Sequence, residues 1–134
     1  MPLTTLTGQE FYPTFSPDGE QVAFSWNGAR QDNRDIYVTL VGSSDVRRLT
    51  SDPSVDTKPT WSPDGRQIAF LRDRPDGTTI QLVSALGGAD RKLSDFPGAD
   101  SITWSPDGHW LAAGRSGEQD RTAARIAASS SSIS

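Results

Sequence analysis

The sequence predicts an all-β fold made of repeated four-stranded antiparallel units, and three observations carry that prediction. The tetrapeptide Ser-Pro-Asp-Gly occurs three times, at residues 16–19, 62–65 and 105–108, with spacings of 46 and 43 residues. An aromatic precedes each serine (Phe15, Trp61, Trp104), and an apolar triplet follows each glycine at a fixed offset: Val22-Ala23-Phe24, Ile68-Ala69-Phe70 and Leu111-Ala112-Ala113. Each full unit then ends in a leucine and a hydroxyl residue, Leu49-Thr50 and Leu93-Ser94. Leu3-Thr4 is a third copy, because Leu3 and Phe15, like Leu49 and Trp61, are 12 residues apart. A fixed period matched at several positions is the signature of a stacked repeat.

Each element follows from its residues. Pro17, Pro63 and Pro106 preset φ for a type I turn. Asp18, Asp64 and Asp107 suit the next position, and Gly19, Gly65 and Gly108 supply the left-handed residue of a bulged hairpin. In unit two the turn joins a first strand at 59–62 to a second at 67–71, where Ile68 and Phe70 share one face and Ala69 takes the other. The small alanine lets a neighbouring sheet approach. Stretches 35–40 and 79–83 are rich in β-formers and read as third strands; 45–50 and 91–94 read as fourth strands. The polar run Asp32-Asn33-Arg34-Asp35 and residues 73–77 read as loops between second and third strands. Arg47, Arg48, Arg91 and Lys92 fall in outer strands, where charge protects an edge.

Four short strands in about 43 residues is the period of a β-propeller blade. The expected layout is a fourth strand of a preceding or closing blade at 1–9, blade one at 10–51, blade two at 52–95, an incomplete blade three at 96–115, and an irregular or disordered tail at 116–134. In that tail 123–128 favours helix if anything, and 129–134 is serine-rich. Three blades are fewer than the four to eight of closed propellers. The expectation is therefore a fragment, a truncated reading frame, or a subunit closing its ring with partners. One such arrangement is a two-fold homodimer in which residues 2–7 pair with the other chain's third blade, driven by exposed apolar faces near Phe15, Phe24 and Leu111; the alternative is an edge-to-edge oligomer.

Composition narrows the function classes. The chain has 134 residues and no cysteine, which excludes disulfides, thiolate metal sites and cysteine nucleophiles. A net charge of −4 argues against nucleic acid and polybasic membrane contacts. No run of 18 apolar residues exists, so no bilayer insertion by a helix is expected. Met-Pro-Leu-Thr-Thr-Leu has neither the basic nor the apolar segment of an export signal.

Candidate sites are few. The turn aspartates read as turn formers; they lie too far apart to share a cation. Phe15, Trp61 and Trp104 read as core on the innermost strand. Trp26 and Trp110 break the repeat and are expected to be partly exposed, as candidate partner contacts. Glu10 and Asp56 precede the first strands at equivalent positions, with Asp100 one residue out of register. This acidic rim would face a central channel and receive a basic peptide or a cation; the alternative is a solvated loop. No catalytic residue, cofactor site or metal site is expected. His109 is the single histidine and follows a turn glycine, and no nucleophile elbow, phosphate-cradling loop or zinc-binding histidine pair is present. The run at 32–35 lacks the glycine and distal glutamate of a calcium loop.

The pattern Pro-x-Trp-Ser-Pro-Asp-Gly, Ile-Ala-Phe, an Ile-Tyr-Val strand and Leu-Thr resembles the WD-like propeller repeats of the TolB family over residues 3–115. Unit one departs in having Phe15 for Trp, and unit three in having Ile102 where Pro13 and Pro59 stand. More narrowly, 11–26 with Asp35-Ile36-Tyr37-Val38 resembles the opening of propellers attached to bacterial membrane-anchored serine/threonine kinases and winged-helix regulators, though no kinase or winged-helix residues are present. The resemblance implies a non-catalytic module that binds a protein or peptide at the channel mouth, a sensor or interaction part of a larger bacterial protein, in the periplasm or otherwise outside the cytoplasm. It also allows an accessory domain of a prolyl-oligopeptidase-type hydrolase, or a truncated fragment without independent function.

Overall fold

The computed structural model describes residues 10–28, 33–43, 45–115 and 121–125. The strand expected at 2–7 and Asp32 lie outside the described residues. Among the described residues, eleven strands form three antiparallel sheets, each a meander in chain order. The first holds β1 (Glu10–Phe15), β2 (Gln21–Trp26), β3 (Asp35–Leu40) and β4 (Val46–Arg48). The second holds β5 (Val55–Trp61), β6 (Gln67–Arg74), β7 (Gly77–Ser84) and β8 (Arg91–Asp95). The third holds β9 (Ser101–Trp104), β10 (Trp110–Gly114) and β11 (Arg121–Arg125). The loop expected at 73–77 is a tighter hairpin, because β6 runs on to Arg74 and β7 begins at Gly77.

β11 corrects the reading of residues 116–134 as irregular. Its five residues pair with β10 from Trp110↔Arg125 to Gly114↔Arg121. Helix propensity is a weak prior, whereas the free edge of β10 offers a row of backbone donors and acceptors that a strand satisfies.

The Ser-Pro-Asp-Gly turns explain their own repetition. In the second, Gly65 N–H donates to Ser62 O at 2.9 Å, and Ser62 Oγ donates to Asp64 Oδ1 at 2.6 Å. Asp64 Oδ1 also accepts from Arg66 N–H at 3.0 Å, and Ser62 Oγ accepts from Gln67 N–H at 3.1 Å. The turns at 16–19 and 105–108 repeat every one of these bonds. The serine hydroxyls hold Asp18, Asp64 and Asp107 below the usual carboxylate range. Each aspartate therefore spends itself on its own turn.

Adjacent sheets bury their facing sides. Ile68, Phe70 and Val83 meet Ala23, Ile36, Val38 and Leu49 of the first sheet. The opposite side of the second sheet, with Ala69, Leu71, Ile80 and Leu82, meets Leu111 and Ala113 of the third. Ala23 and Ala69 are fully buried, at the points where a larger side chain would hold the sheets apart. Two indoles fasten the inner strands across these interfaces. Trp61 Nε1 donates to Thr14 O at 3.1 Å, and Trp104 Nε1 donates to Thr60 O at 3.0 Å.

Several expected exposures change. Phe15 is not core; it is 53% exposed. Phe24 and Leu111 are each only 1% exposed, so neither forms an open apolar face. Trp61 is buried and Trp104 half-buried.

Gly65 has φ +74°, and a Cβ there would touch the Pro17 ring at 3.6 Å. Its space is adequate, so the left-handed backbone alone sets the cost of a side chain. Gly65→Val is expected to destabilise by about 1–3 kcal/mol, whereas Asp64→Asn, which keeps the accepting Oδ1, stays close to wild type. Urea denaturation followed by tryptophan fluorescence checks both. Equal losses in the two variants would mean that the carboxylate does more than shape the turn.

Candidate functional site

The acidic rim is not what the structure builds. Asp56 is fully buried. It stands opposite Arg72 in the β5–β6 register, and Arg72 Nε donates to Asp56 Oδ1 at 2.8 Å while Nη2 donates to Oδ2 at 3.1 Å. The same guanidinium reaches Asp90 Oδ1 at 3.0 Å and Oδ2 at 3.1 Å, and lies 3.5 Å from Asp52. Its carbon sits 5.4 Å from the centre of the Phe70 ring. Arg72 is thus 3% exposed and spends its donors on carboxylates. Burial pushes the Asp56 carboxyl up to about 6, against the pull of Arg72. Asp100 is half-buried, and its carbonyl accepts from Lys58 Nζ. Glu10 is placed by its backbone, opposite Trp26.

Trp26 also departs from expectation. It is 4% exposed, edge-on to Tyr37 at 4.8 Å and tilted against Phe24 at 6.4 Å. It therefore packs within the first sheet and does not offer a contact surface. Trp110 is 42% exposed on β10. His109 is exposed in its turn, 3.7 Å from Asp107. Among the described residues, no group of three or more His, Cys, Asp or Glu side chains is placed to hold a metal ion.

Two features were not foreseen. β1 and β5 each carry a bulge, with left-handed, non-glycine residues at Tyr12 (φ 56°) and Lys58 (φ 54°). Lys58 Nζ lies 5.3 Å from the centre of the Tyr12 ring. The only sequence signal for this strain is the proline that follows each residue.

The second feature is a cleft of about 640 Å³ over β6, β7 and β8, on the side of the second sheet that faces the first. Its walls come from the β6–β7 hairpin, from Asp52 in the β4–β5 connection, and from Asp90 to Asp95. Thr79 and Gln81 form its floor, the latter 3% exposed. Gln81 stands opposite Phe70, and Thr79 opposite Arg72. The Arg72 bonds to Asp56 and Asp90 tie three segments of the second sheet together beneath this cleft.

Stacked four-stranded meanders with inner strands side by side define a β-propeller array. Residues 2–134 match the TolB beta propeller domain, and the chain belongs to that family. Among solved structures, TolB from Acinetobacter baumannii is 31% identical with a TM-score of 0.63, over 89% of this chain and 29% of that one. A protein described as TolB from Agrobacterium tumefaciens is 22% identical, with a TM-score of 0.74 over 98% of this chain and 50% of that one. The β-propeller domain of the Trilobed protease from Pyrococcus furiosus is 21% identical, with a TM-score of 0.70 over 94% and 41%. The chain thus spans half or less of each of these structures. No curated protein sequence matches it.

Removing Arg72 leaves Asp56 buried without its partner. Arg72→Met is expected to cost about 3–5 kcal/mol, and adding Asp56→Leu to recover most of that loss. Urea denaturation of both variants measures this. A double variant no better than the single one would mean that the ionic contact is incidental.

The carboxyl also links stability to pH. Unfolded Asp56 ionises near 3.8 and folded Asp56 at about 6, so the folded form holds the proton more tightly. The stability this group contributes is present below pH 4 and is lost as pH rises through 6. Measured against Asp56→Asn, the wild-type chain is expected to lose stability between pH 4 and pH 6, with the Asp56 carboxyl carbon resonance titrating near the upper value. A relative gain over that interval would contradict the buried-carboxyl account.

Proposed function

We propose that the chain is a non-catalytic protein- or peptide-recognition module, the interaction or sensor part of a larger bacterial protein. The observation that carries this reading is the cleft over β6–β8, a polar recess on a rigid strand frame, with buried hydrogen-bonding groups in its floor. Rigid frames that present polar groups at loops and sheet ends are suited to recognition. Membership of the TolB propeller family supports the same reading. Against catalysis stands the isolation of His109, whose nearest carboxylate belongs to its own turn.

A second reading has one specific observation behind it. Similarity to the propeller domain of the Trilobed protease favours an accessory role beside a hydrolase domain. Fold similarity alone does not choose between the two.

Selection from a phage-displayed library of random heptapeptides tests the recognition reading. Enrichment of related sequences that bind the folded chain with micromolar affinity is the expected result. No enrichment over repeated rounds would overturn it.

A further inference from the structure

We propose that copies of this chain join head to tail, with Phe15 and the Gly19 turn of one copy seated on the outer face of another copy's third sheet, the side away from the second sheet. This contact continues, between chains, the seam that joins the sheets within one chain. It does not depend on the recognition reading.

Each internal seam is built from the same three contacts. An indole crosses from one inner strand to the preceding one: Trp61 Nε1 donates to Thr14 O at 3.1 Å, and Trp104 Nε1 to Thr60 O at 3.0 Å. A turn glycine lies against the preceding turn's proline. A Cβ on Gly65 would stand 3.6 Å from the Pro17 ring, and one on Gly108 would stand 3.6 Å from the Pro63 ring. A small residue, Ala23 or Ala69, is 0% exposed where the next sheet lies over it. The receiving half of a seam is thus a threonine carbonyl, a proline ring and an alanine. The entering half is an aromatic and a glycine.

Both halves of one further seam are open. Thr103 stands opposite Ala112, as Thr14 stands opposite Ala23 and Thr60 opposite Ala69. The receiving positions of the third sheet are therefore Thr103, Pro106 and Ala112. Thr103 and Ala112 are exposed, whereas Thr14 and Thr60 are half-buried and Ala23 and Ala69 fully buried. On the first sheet, Phe15 stands opposite Val22 as Trp61 stands opposite Ile68. Phe15 is 53% exposed, against 6% for Trp61. A Cβ on Gly19 would meet nothing within 4 Å. One chain thus presents a socket on its third sheet and the matching plug on its first. Two different patches that fit each other make a heterologous contact, which extends from copy to copy.

The contact between copies is narrower than an internal seam. Val22 and Phe24 are each 1% exposed, so the inner strand and the turn are the parts of the first sheet left to enter the socket. Phe15 also has no N–H to give to the Thr103 carbonyl. Self-association is accordingly weaker than stacking within the chain.

Sedimentation equilibrium of the full chain at about 10 to 500 µM tests the proposal. The average mass is expected to rise with concentration above that of one chain. Phe15→Trp restores the indole donor and is expected to tighten association about three- to ten-fold. Phe15→Glu and Ala112→Glu alter exposed positions, and each alone is expected to stay folded and single. Mixed in equal amounts, the two are expected to form a one-to-one pair that grows no further, because one intact plug then meets one intact socket. Thr103→Glu serves on the same face if Ala112→Glu melts below wild type. A single-chain mass at every concentration, a mixture that fails to pair, or no tightening in Phe15→Trp would each overturn the proposal. Association lost in Ala112→Glu but kept in Phe15→Glu would mean a symmetric contact between two third sheets, and would overturn it equally.

Discussion

Burial of sheet faces against neighbouring sheets organises the rest of the structure. The second sheet shows it most plainly, with Ile68 and Phe70 against the first sheet and Ala69 and Leu71 against the third. Apolar on both faces, the second sheet is held between its two neighbours. Close approach requires a small residue at the centre of one face, which Ala23 and Ala69 supply. The paired indole bonds from Trp61 and Trp104 to the preceding inner strands then fix each sheet against the last. Burial supplies the driving force, and these two bonds supply the register.

Much of this was legible because the repeat is written in local chemistry. Ser-Pro-Asp-Gly closes its own turn with its own side chains, so its structure owes little to the surroundings. The alternating apolar residues of β2 and β6 declare both faces. What could not be read depends on neighbours distant in sequence. Phe15 and Trp61 occupy equivalent positions, and Trp61 lies beside an inner strand whose Thr14 carbonyl receives its indole. The strand at Arg121–Arg125 has alanine at its centre and no β-branched run, so its identity comes from the edge of β10 and not from its own residues.

The site was misread for a related reason. An acidic residue before a strand reads as solvated unless its cross-strand partner is known. Asp56 stands opposite Arg72, and that pairing turns a surface charge into a buried one. Asp90 lies 18 residues beyond Arg72 and its contribution has no local signal. The cleft is likewise a product of three separate segments brought together.

The first sheet provides an internal comparison. Trp26 holds the position that Arg72 holds in the second, two residues beyond Phe24 and Phe70 respectively. There the position is filled by an apolar ring packed on Tyr37 and Phe24. The fold therefore accepts an aromatic at this point, and packing alone does not require a guanidinium. A buried ion pair also carries a large desolvation cost, which hydrophobic replacements often avoid. What Arg72 adds is position: it ties Asp56 to Asp90 beside the cleft that Gln81 lines. In the first sheet the equivalent positions hold the aromatic residues Trp26 and Tyr37, which pack together, and in the second the polar Arg72 and Gln81 line a recess. The difference between the two sheets is therefore a difference in surface chemistry laid over one packing scheme, which is how repeated frames acquire distinct binding properties.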